Sequence, residues 1–184
     1  LTLSALAERA RDEGIAWTAV TTSLEAELAC AGHAVPTAPL SSARPDWSFD
    51  GADEVDPAGN LIKGRGGALL REKLVMASSP ERYIVVDPSK LVDRLGTRFA
   101  VPIEIIPDAV RLVGDALGRL GCTEVVLRHG GGKDGPLITE RGNYLLDAHL
   151  TNIDEHTETG LKAIVGVVES GLFIGYRPEV VVSG

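Results

Sequence analysis

Along the chain, segments with helical spacing of apolar residues alternate with short apolar runs, and glycine or proline stands at many of the joints. That rhythm predicts βαβ units and a largely parallel sheet. Ser4 is placed to cap a helix through Asp12 that ends at Gly14, and Ala16 to Val20 reads as a buried strand. Thr21 or Thr22 would cap the next helix, running to Ala31 before Gly32. A short strand from Trp47 to Asp50 ends on a carboxylate, a helix spans Leu69 to Ala77, and a third strand spans Tyr83 to Val86 before Asp87 and Pro88.

From about Ala100 the texture changes. Val101 to Ile106 is strand-like, Ala109 to Leu120 helical, and Glu124 to Arg128 and Tyr144 to Asp147 are strands with a glycine-rich turn from Gly130 to Gly135 between them. This β-α-β-β order, followed by a helix near Thr157 to Ile164, fits a small ferredoxin-like α+β module. Gly171 to Ile174 and Glu179 to Val182 read as strands returning to the first unit. The expected architecture is α/β: a Rossmann-like parallel sheet formed by 1–99 with 171–184, carrying a smaller ferredoxin-like α+β domain at 100–170.

Composition narrows the function. With 184 residues, 44% of them hydrophobic, the chain can build a packed core. Cys30 and Cys122 are far apart and match no metal-ligand spacing, so both read as thiols in a reducing cytosol and no metal site is expected. No apolar run approaches the roughly 20 residues of a membrane span, which points to a soluble, cytoplasmic protein. A formal net charge of -8 without Lys/Arg clusters excludes an extended nucleic-acid surface, so any anionic ligand must be held locally.

The candidate chemistry lies in two segments. Phe49-Asp50-Gly51-Ala52-Asp53-Glu54 puts three carboxylates just after a strand, beside residues small enough for a ligand to approach the backbone. Ligands of open α/β sheets bind beyond the carboxyl ends of strands. Lys63-Gly64-Arg65-Gly66-Gly67-Ala68-Leu69-Leu70-Arg71-Glu72-Lys73 follows, offering a cation, free backbone N–H groups and the start of a helix, all suited to a phosphate or oxyanion. It is neither a Walker A loop nor a G-x-G-x-x-G dinucleotide loop. Glu72 shares a helix face with Ala68 and Leu69, so it can point inward, where partial burial would suit it to act as a general base. Taken singly, each feature also has an ordinary reading: a solvated acidic turn, a glycine turn with a surface lysine, and an exposed glutamate.

Together, the order and spacing of these segments resemble the two signature segments of type A ribose-5-phosphate isomerase. The similarity continues through Val86-Asp87-Pro88-Ser89-Lys90, Val101-Pro102-Ile103-Glu104, Gly142-Asn143-Tyr144-Leu145-Leu146-Asp147 and Val167-Val168-Glu169-Ser170-Gly171-Leu172-Phe173. The resemblance implies interconversion of ribose 5-phosphate and ribulose 5-phosphate through an enediolate, without a metal or organic cofactor. It makes Glu72 the base that moves a proton between C1 and C2, and assigns Lys63 and the loop of Gly64, Arg65 and Gly66 to the oxyanion. Asp50, Gly51, Ala52 and Asp53 would hold the sugar, with Asp50 and Asp53 assisting ring opening and proton traffic. Lys90 would contact substrate, as would Thr21, Thr22 and Ser23. The resemblance also implies a homodimer or homotetramer.

Two departures stand out. Arg65 occupies a position where the family usually has glycine. The family also carries, ahead of the part matched here, a strand and a Gly-Thr-Gly-Ser-Thr loop, whereas Leu1 opens directly on the following helix. The expectation is that the sequence starts inside a longer chain; the alternative is a relative that has lost part of its pocket. A sugar-phosphate sensor is the reading from another class, but a sensor needs no proton-transfer carboxylate at position 72.

Overall fold

The computed structural model describes residues 2–132 and 134–183. The chain opens with two helices, α1 (Thr2–Asp12) and α2 (Leu24–Gly32). Ser23 caps α2, its side chain accepting from the Ala26 N–H at 3.1 Å, so the cap lies one residue beyond the expected threonines. Ala16 to Val20 is not a strand: only Ala19 forms a single parallel bridge, to Thr37.

A parallel sheet forms the first layer. Its strands are β1 (Trp47–Asp50), β4 (Glu81–Val86) and β10 (Glu179–Val182), in the order β1-β4-β10. Asp50 pairs with Ile84, and Val180 flanks Ile84 on the other side. Helix α3 (Leu69–Ser78) lies between β1 and β4 in sequence, the crossover a parallel pair requires. Ile84, Val86 and Met76 are buried in one core with Val55, Leu61 and Phe173.

Three two-residue strands escape the apolar periodicity or fall within a longer run: β2 (Glu54–Val55), β3 (Leu61–Ile62) and β9 (Leu172–Phe173). They form a small antiparallel sheet in the order β2-β3-β9, with Leu61 facing Phe173. This sheet holds the acidic turn against the start of the glycine loop.

The remaining elements are β5 (Val101–Ile105), α4 (Val110–Arg119), β6 (Glu124–Leu127), β7 (Tyr144–His149), α5 (Thr157–Lys162) and β8 (Val167–Ser170). Their antiparallel order β6-β7-β5-β8 and βαββαβ connectivity are ferredoxin-like. Ile103, Ile105, Val113, Leu117, Leu146 and Leu161 pack between this sheet and its helices. The glycine-rich turn expected at 130–135 includes Lys133, which lies outside the described residues. Among the described residues, no helix is long and apolar enough to cross a membrane.

Candidate active site

Strand β1 delivers Asp50 to the carboxyl edge of the parallel sheet, where its Oδ1 accepts from the Gly51 N–H at 2.8 Å. Ala52 packs onto the core around Phe173. The Asp53 N–H donates to Ile62 O at 2.8 Å, and its Oδ2 accepts from the Arg65 N–H at 3.2 Å, so this carboxylate joins the acidic turn to the glycine loop. Glu54 turns the other way. It is fully buried and accepts from the backbone N–H groups of Gly96 and Arg98, each at 2.6 Å, and of Phe99 at 2.8 Å. The third carboxylate of the turn therefore anchors the 96–99 segment.

Lys63 follows β3, its N–H bonded to Gly171 O at 2.9 Å. A Cβ on Gly171 would stand 2.2 Å from Lys63 O, so only glycine permits this approach. The residue is 3% exposed, and its ammonium lies among three oxygen neighbours. Nζ donates to Gly51 O at 2.5 Å and pairs with Asp50 Oδ2 at 3.0 Å and Glu72 Oε2 at 3.3 Å. Burial works against the charged form, but the two carboxylates outweigh it and hold the ammonium above its ordinary value.

After Lys63 the backbone turns sharply. Gly64 has φ +96°, and a Cβ there would meet Leu69 Cβ at 2.6 Å, so the position needs glycine twice over. The Gly67 N–H closes the turn on Gly64 O at 3.0 Å, just ahead of α3. Gly66 is exposed, with open space where a side chain would be. Arg65 directs its guanidinium to the ring of Phe99, 5.1 Å from the centroid. Lys90, on a short 3-10 turn (Pro88–Lys90), reaches the same ring at 5.3 Å. The described contacts of Lys90 are thus with Phe99, not with Asp50, Lys63 or Glu72.

Glu72 stands in the first turn of α3 with its side chain 13% exposed. Its Oε2 is buried and makes no hydrogen bond among the described residues, although Lys63 faces it. Burial pushes this carboxyl above its usual range; Lys63 pulls it down, and the neighbouring Asp50 and Asp53 push it up again. Such a group takes and returns a proton near neutral pH more readily than an exposed glutamate does.

Asp50, Asp53, Lys63 and Glu72 are thus brought together from a strand end, a turn, the residue after a two-residue strand and a helix start. Thr21 is tied to the start of α3, its carbonyl accepting from Arg71 Nη2 at 2.8 Å. Two features went unread in the sequence. Lys73, next to Glu72, is a buried cation bonded to Glu158 at 2.5 Å, Glu169 at 2.9 Å and Leu172 O at 2.6 Å, which fixes α3 against the ferredoxin-like module. Arg128 reaches the carbonyls of Gly64 and Arg65. A cavity of about 640 Å³ between Asn60, Arg94, Asp154 and Arg177 includes none of the four clustered residues.

Comparison with known proteins shows the family. A family model described as ribose 5-phosphate isomerase A (phosphoriboisomerase A) matches residues 18–184. The ribose-5-phosphate isomerase A of Thermosynechococcus vestitus is 43% identical over 166 residues, 89% of this chain and 70% of that protein. The solved ribose 5-phosphate isomerase A of Methanocaldococcus jannaschii superposes with a TM-score of 0.92 at 38% identity, covering 97% of this chain and 80% of that one. A D-ribose-5-phosphate isomerase solved in complex with phospho-erythronic acid gives a TM-score of 0.92 at 40% identity, covering 96% and 79%. The chain belongs to the ribose 5-phosphate isomerase A family.

Proposed function

We propose that this chain interconverts ribose 5-phosphate and ribulose 5-phosphate through an enediolate, with Glu72 as the carbon base. The observation that carries the reading is the buried Lys63 ammonium held between Asp50 and Glu72. Glu72 removes the proton from C2 of the open-chain aldose, and the C–H electron pair becomes the C1–C2 double bond. The carbonyl electrons move onto O1, where Lys63 and the N–H groups of the glycine loop meet the developing charge. Asp50 and Asp53 bind the sugar and carry the proton from O2 to O1, and Glu72 returns its proton to C1. Gly51 and Ala52 line the approach, and Gly64, Arg65, Gly66 and Lys90 contribute to substrate binding.

Family resemblance also supports a homodimer or homotetramer; composition supports a cytoplasmic location, and the separate antiparallel sheet β6-β7-β5-β8 supports a division into a catalytic unit of 1–99 with 171–184 and a smaller unit of 100–170. Incubation with ribose 5-phosphate tests the activity. Appearance of ribulose 5-phosphate is the expected result, and its absence at high protein concentration overturns the reading.

A further inference from the structure

The structure assigns Arg128, held by Asp147, as a positioning residue that orients the glycine loop for the reaction. The inference rests on the activity proposed above and concerns residues outside both signature segments.

Arg128 directly follows β6, its N–H donating to Leu145 O and its carbonyl accepting from Leu137 N–H, each at 2.8 Å. Asp147 on β7 faces Val126, two residues before Arg128, so the two side chains are diagonal neighbours on one face of the sheet. The Asp147 carboxylate accepts from Nε at 2.8 Å and from Nη2, which fixes the plane of the guanidinium. Nη1 is left to reach across to the loop, where it donates to Gly64 O at 3.1 Å and Arg65 O at 2.9 Å. The loop also packs on this module, since Gly67 lies against Leu137 and Leu145.

Peptide planarity turns these two bonds into an orientation. In a trans peptide the C=O and the following N–H point in opposite directions. Holding the carbonyls of Gly64 and Arg65 on the guanidinium therefore directs the N–H groups of Arg65 and Gly66 away from it. The Arg65 N–H meets Asp53 Oδ2 at 3.2 Å, on the side of the acidic turn. The Gly66 N–H has no hydrogen-bond partner among the described residues and is a free donor beside the oxyanion site. Without the clamp, the Arg65–Gly66 peptide would lose the one described hydrogen bond that fixes its plane. A lysine at 128 would supply charge from a single nitrogen, without the planar fork that bonds Asp147 through two nitrogens while a third reaches the loop carbonyls.

The test uses the whole chain and its Arg128→Lys and Arg128→Ala variants, read by kinetics on ribose 5-phosphate and by amide hydrogen exchange. Both variants should lower kcat about 10–100-fold. The loss should fall mainly on kcat, with KM rising by less, because the oriented donors act chiefly on charge that develops in the transition state while the loop also contributes to binding. Exchange at Arg65 and Gly67, whose N–H groups are bonded to Asp53 Oδ2 and Gly64 O, should accelerate while the buried strand amides of Ile103 and Ile105 keep their rates. Free guanidinium should restore part of the kcat of Arg128→Ala. Unchanged exchange at the loop, or faster exchange with unchanged kcat, overturns the assignment. A parent chain without turnover overturns the activity reading, and loop exchange then decides the clamp on its own.

Discussion

Glu72 Oε2 faces the Lys63 ammonium at 3.3 Å inside the protein, and burial nevertheless leaves the carboxyl with a raised proton affinity. An acid in that state weakens the fold when it ionises. The folded chain holds the proton more tightly than the unfolded chain does, so the penalty is absent below the ordinary carboxylate pKa. It grows as pH rises through the window up to the raised value and is complete above it.

Glu72→Gln should therefore raise the melting temperature at pH 7, and the gain should fade as pH falls into the ordinary carboxylate range. Thermal unfolding of both proteins across that range checks this. An equal or lower Tm for the variant at neutral pH contradicts the raised proton affinity.

The charges around Glu72 should also be separable by their opposite effects on it. Lys63 lowers its pKa and Asp50 raises it. The acid limb of kcat/KM, which reports the base in the free enzyme, should move to higher pH in Lys63→Met and to lower pH in Asp50→Asn. Both variants will be slow, so the limb is read on residual activity. Shifts in the same direction would contradict the arrangement.

Glu54, though part of the acidic turn, should behave as a structural residue. Its carboxylate accepts three backbone N–H groups from the 96–99 segment without exposure to water. Bonds to a charged acceptor contribute about 1.5–3 kcal/mol each, less what water recovers, so Glu54→Ala should cost about 3–4 kcal/mol. Urea denaturation measures it, and an unchanged midpoint would show that the three bonds do not support the fold.

The helix beginning at Leu69 is found where apolar spacing puts it, because Leu69, Lys73 and Met76 are buried along one face, whereas the largely exposed strand Glu179–Val182 is held by its parallel pairing with Tyr83–Val86. Strands of two residues, such as Leu61–Ile62, carry no period at all; pairing across to Phe173 defines them. The expected strand at Ala16 to Val20 fails for a related reason, since Ala19 finds only a single bridging partner. At the site, the spacing from Asp50 to Glu72 was legible because one turn, one loop and one helix start supply all four clustered groups. The inward turn of Glu54, the burial of Lys73 and the reach of Arg128 depend on partners 42 to 99 residues away, which local pattern cannot reveal.

The most direct test of the account is turnover of ribose 5-phosphate by Glu72→Gln, measured beside binding of phospho-erythronic acid to the same protein. Gln keeps the shape of the side chain but cannot accept the carbon-bound proton. Turnover should fall by about 10²–10⁴-fold or vanish, with analogue affinity close to that of the parent. Undiminished turnover in Glu72→Gln would contradict the central claim.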